Sequence, residues 1–134
     1  MAASPHAAKL AAYSTVSVHG GVAAADPQRL ILLLMDGALE RIAGARGCME
    51  RTDIGGKAQL LNRAIQIVGE LRGSLDVTKG AEIAANLDAL YDYMCRRLLE
   101  ASLKNDVKVL DEVAKLLREL RDAWSQLPKE APTK

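Results

Sequence analysis

NLDALYDYMCRRLLEASLKND, residues 86–106, holds more apolar side chains than an ordinary surface helix needs. The apolar residues recur every three or four positions, which predicts an amphipathic α-helix. Its buried stripe is expected to contain Leu87, Leu90, Tyr91, Met94, Leu98 and Ala101. Beside that stripe, Ala84, Cys95 and Leu99 extend the apolar surface around one flank, where a helix would normally face water. Something other than solvent is therefore expected to cover this flank.

The composition favours a helical protein of nearly zero net charge. Hydrophobic residues make up 49% of the 134 residues, but Phe is absent and aromatic residues total 3%. The core must therefore be built from Leu, Ile, Val, Ala and Met, a mixture typical of helices. Lys and Arg number 18 against 17 Asp and Glu, a net charge of +1. Such a chain gives no electrostatic reason to expect nucleic acid or an anionic membrane as a partner.

No feature of the sequence indicates membrane insertion or secretion. The longest apolar run covers residues 30–35, whereas a helix that spans a bilayer needs about 20 apolar residues. Residues 1–25 lack the continuous apolar segment of a secretory signal. Cys48 and Cys95 are isolated within helical patterns, which is typical of buried free thiols in a reducing compartment. We therefore expect a soluble, cytoplasmic protein.

Start and stop signals divide the chain into three parts. Residues 1–25 are expected to form a mobile or short-helical arm, residues 26–127 a helical bundle, and residues 128–134 a polar tail. The four helices are predicted at 27–50, from Asp53 or the following glycines to Gly73, at 81–103, and from an Asn105 N-cap to about Gln126. Short connections favour antiparallel neighbours. The predicted fold is an all-α, antiparallel up-down four-helix bundle.

The first predicted helix also carries an excess of apolar surface. Next to its core stripe, a second strip contains Leu30, Leu33, Gly37, Gly44 and Cys48. A glycine in an exposed helix interior costs about 1 kcal/mol relative to alanine, and close approach by another helix would offset that cost. Taken together, the excess residues of the first and third helices favour a protein that binds another helix or an unstructured apolar segment.

The excess apolar surface could also be covered without a foreign partner, in three ways. The first and third helices could be the central, most buried pair of the bundle. A homodimer could cover them. The arm could fold back over them, since it carries Leu10, Tyr13, Val16 and Val18.

Catalytic chemistry is not indicated by any motif. His6 and His19 both lie in the arm, so no helix offers the Glu-x-x-His pairs of a di-iron bundle. Cys48 and Cys95 have no partnering base within a helix. Arg96 and the following Arg97 are interpreted as solvated or groove-rim residues. The sequence predicts no cofactor, no metal and no enzymatic activity.

Three stretches of the chain match a known family. They are AYSTVSVHGGVAAADPQRLILLLMDGAL at 12–39, SLD at 74–76, and NLDALYDYMCRRLLEASLKNDVKVLDEVAKLLRELRDAW at 86–124. In these stretches the chain resembles the FliS family of flagellin-specific export chaperones. The resemblance covers residues 12–126 without large gaps, and its most specific part is the run from Leu90 to Leu98.

The resemblance implies a function in flagellar assembly. Members of the family are helical bundles that bind the disordered C-terminal segment of flagellin in the cytoplasm, block its premature polymerisation and hand it to the flagellar type III export apparatus. In the family the arm can cover the groove when cargo is absent. An arm tyrosine, which Tyr13 matches here, helps to dock the loaded chaperone on the export-gate protein. Other flagellar regulators stay open as further partners.

The predicted cargo groove combines the excess residues of the first and third helices with apolar residues of the second, which the family's wrapping mode would use. Its members are Leu30, Leu33, Gly37, Gly44, Leu60, Ile67, Tyr91, Cys95 and Leu99. Two other classes remain open: a helical module that serves another export substrate or regulator, and a bundle enzyme that binds a ligand or metal.

Overall fold

Four α-helices form the protein in the computed structural model, which describes residues 26–75 and 81–127. They are α1 (Pro27–Glu50), α2 (Ile54–Gly73), α3 (Ala81–Lys104) and α4 (Val107–Ser125). The predicted all-α four-helix bundle is confirmed, and the predicted helix ends agree within one or two residues. One capping residue was predicted wrongly, because Asp106 rather than Asn105 is the N-cap of α4. The predicted arm and tail lie outside the described residues.

The helices pack in a square, each against two neighbours. α2 contacts α1 and α3, and α4 closes the square by contacting α3 and α1. α1 and α3 therefore occupy opposite corners, so the alternative in which they form a central packed pair is wrong. Successive helices run antiparallel. At the closing contact, the side-chain amide of Gln28 donates to the carbonyl of Trp124 at 3.2 Å, and the indole N–H of Trp124 donates to the carbonyl of Gln28 at 3.2 Å.

The core is built from aliphatic and Met side chains of all four helices, as the composition predicts. Tyr91 is the aromatic residue buried among them, and burial raises its pKa to about 12. Fully burying a Val, Leu, Ile or Met side chain stabilises the folded state by about 1.5–3 kcal/mol. The largest fully buried side chains are Leu34, Met35, Ile42, Leu61, Val68, Leu71, Met94, Leu98, Leu110, Val113 and Leu117.

In the turn between α1 and α2, the single residue Asp53 closes the end of α1 and caps the start of α2. Thr52 has a φ of 56°, a left-handed conformation that β-branched residues rarely adopt. The backbone N–H of Asp53 then reaches back to the carbonyl of Cys48 at 2.8 Å, the bond that closes many helix C-termini. The Asp53 carboxylate accepts the N–H of Gly56 at 3.0 Å and caps α2.

The turn between α3 and α4 repeats this arrangement. Asn105 has a φ of 54°, and the N–H of Asp106 donates to the carbonyl of Ala101 at 3.1 Å. The Asp106 carboxylate accepts the N–H of Lys108 at 3.0 Å. Since Asn tolerates the left-handed region better than most residues, this turn is less strained than the one at Thr52.

A buried lysine ties the start of α2 to the end of α3. The Nζ of Lys57 donates to the carbonyl of Ser102 at 3.0 Å and to the Oδ1 of Asn105 at 3.1 Å. Its charge lies at the C-terminal end of α3, where a cation is favourable because the last carbonyls of a helix carry partial negative charge. The contact also explains Asn at position 105, since glycine would lack the side-chain acceptor.

We use the word seam for the line along the bundle surface where two neighbouring helices meet. Among the described residues, arginine–carboxylate pairs cross three of the four seams. Because these side chains are partly exposed, solvent screens the pairs, and they contribute more to the register of the helices than to stability. The pairs are Arg46–Asp111 and Arg121–Asp36 between α1 and α4, Arg72–Asp88 and Arg72–Asp92 between α2 and α3, and Arg97–Glu112 between α3 and α4.

Changing Gly56 to alanine should destabilise the bundle. An added Cβ would lie 2.5 Å from Asp53 Oδ2 and 2.9 Å from Cys48 Sγ, so the cap of α2 would have to move. We expect the free energy of unfolding to fall by about 1–2 kcal/mol, the cost of losing an N-cap. Gly69→Ala is the control, because nothing lies within 4 Å of a Cβ there. Because alanine has a higher helix propensity than glycine, the Gly69→Ala variant should have a free energy of unfolding higher by up to about 1 kcal/mol. Urea unfolding followed by circular dichroism measures both, and a stable Gly56→Ala variant would contradict the capping geometry.

Acid should weaken the bundle through the carboxylates that pair across seams. Hydrogen bonds from Arg72 and Arg46 lower the pKa of Asp88 and of Asp111, respectively, below the ordinary value of 3.8. A group whose pKa is lower in the folded state stabilises the fold above its unfolded pKa and loses that contribution as the pH falls through the folded pKa. Because the pairs are screened by solvent, we expect the urea midpoint to fall by a small amount below about pH 4. An Arg46→Gln, Arg72→Gln variant should show a shallower fall, and an equally steep one would exclude these pairs as the cause.

Candidate functional site

The helix α2 lies between α1 and α3, so that two seams flank it. The predicted groove residues of α1 lie toward the α1/α2 seam, and those of α3 lie toward the α2/α3 seam. The sequence pattern treats these residues as one groove. In the structure they line two separate seams, one on each side of α2.

The α1/α2 seam is closed by direct contact at two glycines. A Cβ built on Gly44 would lie 3.0 Å from Cδ1 of Leu60, and one built on Gly37 would lie 3.6 Å from Cδ1 of Ile67. The close approach that the glycine strip predicts is therefore made by α2 of the same chain. The Leu60 side chain occupies the space that a side chain at position 44 would need.

The α1/α2 seam has an exposed apolar side chain at its outer edge and lacks the crossing ion pairs of the other seams. Leu33, one turn before Gly37, is 45% exposed. The guanidinium of Arg41 folds back along its own helix and donates to the carbonyl of Gly37 at 3.3 Å. Among the described residues of α1 and α2, no arginine–carboxylate pair crosses from one helix to the other.

The α2/α3 seam is apolar toward the end of α3. The thiol of Cys95 donates weakly to the carbonyl of Ile65, with sulfur and oxygen 3.8 Å apart. Leu99 follows one turn later and is 51% exposed, and Leu103 follows another turn later and is 78% exposed. Ile54, at the start of α2, is 72% exposed at the same end of the bundle.

The other half of the α2/α3 seam is polar. Arg72 donates to Asp88 at 2.6 Å and to Asp92 at 3.1 Å, and Asp92 also accepts from Arg96 at 2.9 Å. These side chains form a chain of charges over the seam. The half of the seam around Leu99 is therefore the half that an apolar partner can contact.

Three of the predicted groove residues are buried. Ile67 and Tyr91 belong to the core cluster, and Leu30 is also buried. These three side chains lie in the interior beneath the seams and are not accessible to a partner in this conformation. Of the remaining members, Gly37, Gly44, Leu60 and Cys95 are half-buried, and Leu33 and Leu99 are exposed. Tyr13, predicted for docking, lies outside the described residues.

The sequence pattern missed Leu103 and Ile54, although Leu103 gave a signal. It lies four residues after Leu99 and eight after Cys95 and so continues the same flank of α3. Ile54 gave none, because it begins its helix directly after the capping Asp53 and belongs to no periodic stripe.

The most specific part of the family resemblance serves bundle assembly. Tyr91 is in the core, and the hydroxyl of Tyr93 donates to Glu112 of α4 at 2.6 Å. Arg97 also binds Glu112, at 2.9 Å, and its guanidinium lies 5.8 Å from the centre of the Tyr93 ring. Arg97 is therefore a helix–helix contact rather than a groove-rim residue.

The described residues show no arrangement suited to catalysis. Both cysteines are free; Cys48 is buried and Cys95 half-buried. Burial raises the pKa of the Cys95 thiol, which disfavours the thiolate that a nucleophile requires. Within residues 26–75 and 81–127, no three acidic, His or Cys residues cluster to hold a metal ion. No helix in these ranges has the length and hydropathy to cross a bilayer.

Comparison with known proteins agrees with the resemblance seen in the sequence. Residues 9–131 match the family described as flagellar protein FliS. The flagellar secretion chaperone FliSB of Pseudomonas aeruginosa is 52% identical over 112 residues, which cover 84% of this chain and 89% of the relative. The flagellar secretion chaperone FliS of Salmonella typhimurium is 44% identical over 126 residues, 93% of each chain. That of Bacillus subtilis is 38% identical over 112 residues, 84% of this chain and 83% of the relative.

Aspartate substitutions should separate surface from core along the α1/α2 seam. Ile67→Asp places a charge in the core and should lower the free energy of unfolding by about 3–5 kcal/mol. Leu33→Asp changes an exposed side chain and should shift it by no more than about 0.5 kcal/mol. Urea unfolding measures both variants. If Leu33→Asp loses as much stability as Ile67→Asp, Leu33 is a core residue and the outer edge of this seam is not available to a partner.

Proposed function

Because the chain belongs to the FliS family of flagellar secretion chaperones, we propose that it binds the disordered C-terminal segment of flagellin, blocks its premature polymerisation and hands it to the flagellar type III export apparatus. The family is a chaperone family, which confirms that the chain is not an enzyme. The proposed location is the cytoplasm, where flagellin must be held before export.

One observation carries the proposal: α2 is flanked on both sides by seams with exposed apolar side chains. Leu33 provides them on one side, and Leu99, Leu103 and Ile54 on the other. Charged residues are depleted at the centres of protein interfaces, and the Leu99 half of the α2/α3 seam shares this property. An amphipathic segment could place apolar residues on both seams.

A disordered cargo needs a large contact area. Ordering such a segment costs about 2–5 kcal/mol or more, which the gain from buried apolar surface must exceed. One seam of a small bundle offers little area, whereas two seams on either side of α2 allow a longer segment to wrap around the helix. This arrangement favours a flexible chain as partner over a folded domain.

The arm adds a regulatory step to the proposal. Cargo would displace residues 1–25 from the seams and free Tyr13 to dock on the export-gate protein. The match to the family extends over residues 9–131 and so includes Tyr13, which supports this assignment. Other flagellar regulators are alternative occupants of the same seams.

Calorimetric titration of the protein with about the last forty residues of the host's flagellin tests the proposal. We expect one-to-one binding with a large negative heat-capacity change, because apolar burial and coupled folding both lower the heat capacity. Absence of binding by the full chain and by a chain lacking residues 1–25 would overturn the proposal and direct the search to other flagellar proteins.

Replacing Leu99 by Asp should weaken this binding without unfolding the bundle. The side chain is 51% exposed, so folding should be little affected, whereas a charge in an apolar contact should weaken binding about tenfold or more. Leu127→Asp is a matched control, since Leu127 is 49% exposed. It lies after α4, which has no contact with α2 among the described residues. Equal losses in both variants would show that Leu99 has no special part in binding.

A further inference from the structure

The solvent face of α2 between residues 55 and 66 carries little charge. Between residues 55 and 66 its exposed positions are Gly55, Gln59, Asn62, Arg63 and Gln66, with Arg63 the one charged residue. Arg63 is itself turned along the helix and donates to Gln66 at 3.2 Å. The exposed face of α4 is different, because most of its positions carry charge: Lys108, Asp111, Lys115, Arg118, Glu119 and Asp122.

The three amide side chains of α2 lie on one strip between the two seams. Residues three and four apart share a helix face, so Gln59, Asn62 and Gln66 follow one another over about 10 Å at 1.5 Å per residue. Leu60 contacts α1 on one side of this strip, and Arg72 contacts α3 on the other. The amides therefore occupy the surface that separates the two seams.

A single cargo chain that fills both seams has to cross this strip. A helix with its side chains is about 10 Å across and an extended residue spans about 3.3 Å, so the crossing takes about three or four residues. The crossing residues find no apolar surface to bury their side chains against. Those of their backbone N–H and C=O groups that face α2 leave water and need new hydrogen-bond partners.

We propose that Gln59, Asn62 and Gln66 bind the main chain of the cargo where it passes from the α1/α2 seam to the α2/α3 seam. This inference rests on the proposed function and names the part of the surface that binds the extended cargo backbone. An amide side chain carries both a donor and an acceptor, as a peptide unit does, and so can bond either backbone group. A charged side chain in the same place would lose its hydration when cargo covers it.

The division of the surface has a consequence for specificity. Amides that bind backbone groups do not discriminate among cargo side chains, so the sequence of the crossing residues has little effect on binding. Apolar residues that enter the seams on either side are selected strongly. The cargo is then recognised as two apolar blocks joined by a short extended link of variable sequence.

The test is a triple variant, Gln59→Ala, Asn62→Ala and Gln66→Ala, titrated with the same flagellin segment. Alanine favours the helix and the positions are exposed, so the variant should fold and melt as the unmodified protein does. Loss of several hydrogen bonds should weaken binding at least about tenfold. The control variant Asn86→Ala, Gln126→Ala removes exposed amides elsewhere and should bind with unchanged affinity.

Hydrogen exchange of the bound segment gives the second readout. With the unmodified protein, a block of about three or four cargo residues should be protected through hydrogen bonds to α2. In the triple variant that block should lose protection, while the apolar blocks on either side keep it. If the segment binds both proteins with equal affinity and protection, the amide strip does not bind cargo. If the segment binds neither, the proposed function itself fails.

Discussion

The arrangement of the bundle depends on the double use of one aspartate at each short turn. Asp53 and Asp106 each donate a backbone N–H to the helix that ends and accept an N–H of the helix that begins. So few residues remain between these helices that they must lie side by side and antiparallel. The pairs α1–α2 and α3–α4 are thereby set, and the contacts of α2 with α3 and of α4 with α1 complete the square. α2 lies between two seams because of this order.

The four seams differ in the contacts that hold them together. Arginine–carboxylate pairs hold three seams, whereas glycines let α1 and α2 meet through aliphatic contacts. A glycine lowers helix stability, but it brings Leu60 against Gly44 and leaves no need for a charged bridge there. Of the two seams that flank α2, the one with α1 therefore has no crossing ion pair among the described residues, and the one with α3 has its ion pairs in the half around Arg72.

Local chemistry explains how much of the fold could be predicted from the sequence. The capping at Asp53 depends on residues within one turn, so the start of α2 was predictable; at Asn105 and Asp106 two adjacent residues could both cap, and the sequence alone favoured the wrong one. The site was harder to predict. A stripe drawn at helical spacing gives the direction of Ile67 or Tyr91 around its helix, but not which helix lies opposite. The predicted groove therefore included both residues, although the neighbouring helices bury them; for Tyr91, this burial agrees with the buried stripe predicted for the same helix.

The closing contact between Gln28 and Trp124 differs from the rest of the bundle in sequence distance. Three of the four helix pairs join neighbours along the chain, and such local contacts form fast because little loop entropy is lost. The contact of α1 with α4 alone links positions 96 residues apart among the described helices. Closing the long loop between these helices makes this contact the one with the largest entropic cost of the four. Trp124 is the single tryptophan of the chain, so its fluorescence during refolding reports the moment at which the square closes.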